Sequence, residues 1–337
     1  MKRQGGLFQR TVDFKNLHAA AQLALRGKRD RGQVARFFFH LENELIRIQA
    51  ELESKTYRPR PYRQFEIREP KVRQICSSDF RDRVVHHSIC RVIDPILEAR
   101  LIHDTYACRV GKGSHRALKR CQVFARRYRY SLKCDIRKYF ESIDHGVLKG
   151  LIRRVIKDGE MLGLIDIVID HGVPGADMGK GLPIGNLTSQ HFANAYLGEL
   201  DHFLKDRKRV PGYVRYMDDF ILFSNDKEQL HAWLCDIRVF LAERLKLELK
   251  EKVTRIAPVT EGVPFLGFWV FPGLIRIQRP NLVRFRRNLR TRERQFRDGV
   301  ISARQLTDSV NSMLGHISHA DSLALRRKEL IPSTSLA

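Results

Sequence analysis

The stretch Tyr213-Val214-Arg215-Tyr216-Met217-Asp218-Asp219-Phe220-Ile221-Leu222-Phe223 sets two adjacent acids between apolar flanks. The pattern predicts a tight hairpin around Asp218-Asp219, because aspartate tolerates turn geometry. A hairpin tip made of two carboxylates repels itself unless a cation lies between them. A hard, oxygen-seeking ion such as magnesium suits the pair, together with the phosphates of a substrate. A solvated acidic turn is the plain alternative, so the reading needs a second acidic element.

That element lies upstream, in Lys133-Cys134-Asp135-Ile136-Arg137-Lys138-Tyr139-Phe140. Residues 130–136 read as a strand, with Leu132, Cys134 and Ile136 on one face and Ser131, Lys133 and Asp135 on the other. The alternation puts Asp135 on the open face of a half-buried sheet. Asp135, Asp218 and Asp219 together make the platform that two-metal phosphoryl transfer needs. One ion lowers the pKa of an attacking 3′-hydroxyl and the other stabilises the pyrophosphate leaving group. Catalysis of this kind rests on positioning and charge stabilisation.

The rest of the composition agrees with a phosphate-handling protein. The chain has 337 residues, 43% of them apolar, enough for a buried core and two or three lobes. Lys and Arg number 62 against 38 Asp and Glu, a formal charge of +24. Such an excess predicts a polyanionic partner, because phosphates release counterions on meeting a basic surface. The six cysteines, at 76, 90, 108, 121, 134 and 235, form no C-x-x-C pair and have no histidine cluster at zinc spacing. They read as reduced, mostly buried thiols of a cytoplasmic protein. Residues 1–10 lack the apolar segment of a secretory signal, and no run approaches 18 apolar residues, so no membrane span is expected.

Outward from the acids, residues 14–26 and 33–54 read as two helices, and the Pro59 and Pro61 pair enforces extended chain after them. Residues 64–76 suggest a hairpin turning near Glu69-Pro70-Lys71. Helical patterns follow at 82–100, 114–127, 145–170 and 188–206, with a Gly-rich loop at 172–186. Residues 264–272 form another short β element. Asn281 can cap a helix in which Leu282, Phe285, Leu289 and Phe296 share a face. Nine arginines fall between Arg276 and Arg297, Gly299 ends that helix, and a second runs over 302–317. No internal repeat is visible.

The order of these segments resembles that of palm-domain reverse transcriptases, over about residues 57–325. Leu182-Pro183-Ile184-Gly185-Asn186-Leu187-Thr188-Ser189-Gln190 is similar to the family's Gly-x-x-x-Ser segment. Glu69-Pro70-Lys71-Val72-Arg73 looks like the fingers hairpin, and Tyr106-Ala107-Cys108-Arg109-Val110-Gly111-Lys112-Gly113 resembles the motif that follows it in bacterial enzymes. Pro264-Phe265-Leu266-Gly267-Phe268 looks like the primer grip. The resemblance implies an α+β right-hand polymerase fold. Residues 1–56 would form a helical extension, 57–272 the fingers and an antiparallel palm, and 273–337 a helical thumb. It implies two Mg2+ ions on Asp135 and Asp218, with Asp219 a ligand or a nearby charge. Lys71 and Arg73 would hold the nucleotide phosphates, and Ile184, Gly185 and Gln190 would line the nucleotide loop. Phe140 matches the aromatic gate that excludes a ribose 2′-hydroxyl. Lys252, with Lys250 nearby, falls where the family places a lysine that protonates pyrophosphate.

Ile184 and Gln190 depart from group II intron and retron enzymes, which usually read Pro-Gln-Gly and Ser-Pro there. They resemble the reverse transcriptases of diversity-generating retroelements, as does Gly315-His316-Ile317-Ser318-His319-Ala320-Asp321. Met313 departs from that family, which favours Trp. The resemblance implies a template RNA, a primer, dNTPs and a basic oligomeric accessory protein; no maturase, endonuclease or RNase H extension is expected after the thumb. A reverse transcriptase of another bacterial type and a catalytically silent RNA-binding scaffold are the rival readings. Isoleucine at 184 forgoes a side-chain hydrogen bond near the nucleotide, which predicts low fidelity at template adenines.

Overall fold

The computed structural model describes residues 3–68 and 72–330. Its first helices are α1 (Leu7–Val12) and α2 (Phe14–Leu25), the second begun by Asp13, whose side chain accepts from the Asn16 amide. The expected helix over 33–54 is two helices, α3 (Gly32–Phe39) and α4 (Leu41–Glu53), broken at His40. Phe37 packs edge-on against Phe80 at 5.0 Å, and the buried stripe restarts with Leu45, Ile48 and Leu52. The break preserves the apolar period, so the sequence reads through it. Strands β1 (Arg63–Ile67) and β2 (Arg73–Ser77) pair antiparallel with Ile67 opposite Arg73. The expected turn at Glu69-Pro70-Lys71 lies outside the described residues.

Helices α5 (Phe80–Glu98) and α6 (Ser114–Arg127) precede β3 (Tyr130–Asp135). Then come α7 (Tyr139–Ser142), α8 (His145–Arg153) and α9 (Gly159–Asp170), the last two capped by Asp144 and Asp158. The expected helix over 188–206 is divided into α10 (Leu187–Tyr196), α11 (Gly198–His202) and a π turn at Phe203–Arg207. Strands β4 (Gly212–Tyr216) and β5 (Asp219–Ser224) follow, then α12 (Lys227–Leu245). The chain continues through β6 (Arg255–Pro258), β7 (Val263–Phe265), β8 (Phe268–Val270) and β9 (Ile275–Ile277). It closes with α13 (Arg279–Arg297), α14 (Ala303–Ile317) and α15 (Leu323–Leu330). Among the described residues no helix is long and apolar enough to cross a membrane.

The chain divides into two compact units. The first comprises residues 1–103, 136–208 and 236–250. Its central helix is α5, which buries Val84, Val85, Ile89 and Ile93. The face of α2 that buries Ala20, Ala21 and Ala24 carries small side chains, which lets two helix backbones approach closely, and α10 contributes Phe192, Ala193 and Tyr196. Burying each of the larger side chains stabilises by about 1.5–3 kcal/mol.

The second unit comprises residues 104–135, 209–235 and 251–337. It holds an antiparallel sheet of order β4-β5-β3-β6 and a smaller one of order β7-β8-β9. Leu118, Cys121 and Phe124 of α6 join Val214, Ile221 and Phe223 in one apolar cluster. Asn281 does not cap α13. Gln278 holds that position and Pro280 occupies the first turn, where its missing N–H costs nothing. The Asn281 amide instead donates to the Gly267 carbonyl at 2.9 Å. Phe285 and Leu289 of α13 bury against Ile317 of α14, with Met313 beside them, whereas Phe296 is exposed. Ser302 and Gln305 form a reciprocal capping box at the start of α14.

Candidate active site

The acidic hairpin turns one residue earlier than expected. Tyr216 pairs with Asp219, so the two-residue connection is Met217-Asp218 and Asp219 opens β5. Met217 takes the left-handed conformation, with φ of 59°, a strain of order 1–3 kcal/mol for a side-chain-bearing residue. The surroundings hold it there. Arg215 is fully buried, and its Nη1 donates to the Met217 carbonyl at 2.9 Å. The Arg215 backbone is tied on both sides, donating to Asp104 O and accepting from the Tyr106 amide, each at 3.0 Å. Asp104 is in turn gripped by both arms of Arg120, at 2.8 and 2.9 Å. The Tyr106-Ala107-Cys108-Arg109 segment thus begins with a residue that braces the acidic hairpin.

The third acid joins through the sheet. β3 lies beside β5 with Asp135 directly opposite Asp219. The expectation of an open face on β3 holds for Asp135, which is half-buried, and fails for its neighbours. Ser131 is buried, and the Lys133 side chain is only 11% exposed. β3 is an inner strand, flanked by β5 and β6. Lys133 Nζ forms an ion pair with Asp219 Oδ1, and among the described residues neither atom has another hydrogen-bond partner. The ammonium also stands 5.3 Å from the centre of the Phe265 ring, in the segment that resembles the primer grip. Burial draws the Lys133 pKa down to about 8, while Asp135, Cys134, Cys121 and Asp218 hold it up.

This donor set fits divalent magnesium. Every candidate ligand is a carboxylate oxygen, and three carboxylates less one ammonium leave two net negative charges. Asp135 and Asp218 are the carboxylates not held by Lys133 in that ion pair, which makes Asp219 a charge bound to the protein. Lys133 and Arg215 are the contributors that the sequence reading passes over. The signal for Lys133 was its position two residues before Asp135, on the same strand face.

The first unit carries most of the remaining predicted residues. Arg73 and Ile184 line one cavity of about 630 Å3, together with Gln74, Arg137, Lys138 and Lys180. The Cys76 amide donates to the Ile184 carbonyl at 2.9 Å, which ties the 182–186 loop to β2. Gly185 has φ of 119°, and a Cβ there would lie 3.0 Å from Ile75 and 3.1 Å from the Cys76 carbonyl, so the close approach needs glycine. Phe140 is half-buried on α7, and its carbonyl accepts from Leu182 at 2.7 Å. Gln190 is exposed in the first turn of α10. Lys71 lies outside the described residues. Lys252 belongs to the second unit, exposed on the 3-10 turn Glu251–Val253.

The profile of the family described as reverse transcriptase (RNA-dependent DNA polymerase) matches residues 67–270, more than half of the chain. Protein YkfC of Escherichia coli (strain K12) is 27% identical over 269 residues, covering 66% of this chain and 70% of YkfC. The group II intron-encoded protein LtrA of Lactococcus lactis subsp. cremoris is 25% identical over 370 residues. That match covers 88% of this chain and 61% of LtrA, so the chain spans about three fifths of that relative's length. The structure of apo telomerase from Candida Tropicalis truncated from its C-terminal domain superposes with a TM-score of 0.51 at 11% identity. It covers 71% of this chain and 60% of that one, and it identifies the α+β architecture as a polymerase fold. The chain belongs to the reverse transcriptase family, with an RNA-directed DNA polymerase domain spanning residues 67–270.

Proposed function

We propose that this chain copies an RNA template into DNA as the error-prone polymerase of a diversity-generating retroelement. The observation that carries the polymerase reading is the register that sets Asp135 opposite Asp219, with Asp218 beside it on the braced Met217 turn. Two magnesium ions bound by such acids would activate a primer 3′-hydroxyl and stabilise departing pyrophosphate. Asp135 and Asp218 would supply the oxygens. Lys133 would keep Asp219 oriented and its charge balanced. Arg73, with Lys71 beyond the described residues, would meet the triphosphate of a dNTP. Phe140 would exclude a 2′-hydroxyl, and Lys252 would deliver a proton to the leaving group. The +24 charge suits a template–primer duplex, whose backbone binds by releasing counterions.

Ile184 and Gln190 support the retroelement reading, which also calls for a basic oligomeric accessory protein. Ile184 lines the basic cavity with a side chain that can neither donate nor accept a hydrogen bond. The similarity to LtrA favours a second reading, an enzyme of the group II intron type. Sequencing the cDNA made on an adenine-containing RNA template separates the two. Errors concentrated at template adenines, and reduced by Ile184→Gln, support the first. A uniform low error rate contradicts it and supports the second, and an unchanged error spectrum in Ile184→Gln removes that residue from the explanation.

A further inference from the structure

Away from the polymerase acids, the first unit brings three metal-ligating side chains together. Cys90 and Asp94 stand four residues apart on α5, and so share one face of that helix. His191 comes from α10, which packs against α5. One ligand atom from each residue lies within 4.8 Å of the other two. His191 Nδ1 is 3.0 Å from Asp94 Oδ1, an ion pair when the imidazole is protonated, yet that oxygen is closed off from solvent and among the described residues accepts no well-directed hydrogen bond. A buried carboxylate oxygen left without a donor is unusual and calls for a counter-charge. A cation shared by the Asp94 oxygen, the His191 imidazole and the Cys90 sulfur would supply that charge.

We propose that Cys90, Asp94 and His191 bind a zinc-class divalent ion.

The donor set selects the ion. Sulfur, imidazole nitrogen and carboxylate oxygen are the ligands of zinc, at about 2.3, 2.0–2.1 and 2.0–2.2 Å respectively. Tetrahedral angles at those bond lengths place ligand atoms about 3.3–3.8 Å apart. The present separations, 3.0 Å between His191 and Asp94 and no more than 4.8 Å for any pair, bracket that spacing. Magnesium prefers hard oxygen ligands and a hydrated octahedron, so the ion bound here differs in kind from those expected on Asp135 and Asp218.

An ion at this position would staple α10 to the central helix of the unit. The residue before His191 is Gln190, and the loop ahead of α10 carries Ile184 and Gly185. Metal binding would therefore stabilise the element that presents the nucleotide loop. Cysteine spacing does not announce the site, because His191 joins Cys90 and Asp94 only through the packing of α10 on α5.

The test uses the full chain, stripped with a chelator and titrated with cobalt(II) and then with zinc(II). One cobalt ion per chain is expected to give a thiolate-to-cobalt charge-transfer band, which zinc abolishes and excess magnesium does not. Cys90→Ser is expected to lose the band, and His191→Gln and Asp94→Asn to keep it with binding at least about tenfold weaker. Zinc is expected to raise the melting temperature of the wild type by more than that of any of the three variants at the same zinc concentration. Absence of the band in the wild type overturns the proposal, and so does an unchanged band in Cys90→Ser. Should Cys90→Ser fail to fold, unchanged cobalt affinity in both other variants overturns it.

Discussion

Lys133→Met keeps the length of the side chain and removes its charge, which isolates the ion pair with Asp219. Lys133 is 11% exposed and Asp219 21%, so the pair is largely out of water. Taking one partner from a buried pair costs about 3–5 kcal/mol, because the other charge stays buried without compensation. The residual exposure of Asp219 lowers this to roughly 2–4 kcal/mol. Asp219→Asn should cost less, because the Lys133 ammonium still feels Asp135 and Asp218. The double variant removes both charges and should lose less than the sum of the two single losses, with a coupling of about 2 kcal/mol. Urea unfolding in chelator gives these values, since midpoint shifts at constant slope report stability. Added magnesium should stabilise Lys133→Met more than the wild type, because a third carboxylate becomes available to the ion. Additivity of the two substitutions within about 0.5 kcal/mol would refute the ion pair as the element holding Asp219.

Gly267→Ala should destabilise the second unit by about 1–3 kcal/mol in the same unfolding assay. The residue has φ of 86°, and an added Cβ would fall on the Asn281 amide that donates to its carbonyl. Phe140→Ala should raise the use of ribonucleotides relative to deoxyribonucleotides by about tenfold or more, read as the ratio of kcat/KM values. An unchanged ratio would make Phe140 a packing residue only. His86 gives a pH dependence. Burial draws its pKa to about 3, with His87, His171 and Arg83 adding to the shift from 6.5. Above about pH 6.5 it is neutral in both states and its contribution is complete. As pH falls, the unfolded chain takes the proton first, and stability drops by up to about 1.4 kcal/mol per pH unit until the folded pKa is reached. Unfolding at pH 7 and pH 5 should show this loss, and His86→Gln should shrink it by about 2 kcal/mol.

The acidic hairpin was legible because alternation and two adjacent acids leave few other structures for residues 213–223. The helices α5, α6, α13 and α14 were legible from apolar periodicity. α12 carries the same period, in Leu230, Trp233, Leu234, Ile237, Leu241 and Leu245. Other features depend on distant parts of the chain. The break at His40 leaves the apolar period intact, so only the packing of Phe37 on Phe80 reveals it. Lys133 read as solvent-facing because a two-residue period cannot tell an inner strand from an exposed one. The one-residue shift of the acidic turn comes from the left-handed Met217, a conformation its side chain disfavours and Arg215 helps to hold. Asn281 looked like a cap because its residue type suits one, while the Gly267 carbonyl it satisfies lies fourteen residues upstream.

Primer extension with purified chain, a primed RNA template, dNTPs and magnesium tests the central claim most directly, run for the wild type and Asp218→Ala, with a melting curve showing that both are folded. The expected result is template-directed cDNA from the wild type, abolished by chelator and absent with Asp218→Ala. Undiminished cDNA synthesis by a folded Asp218→Ala chain would contradict the account.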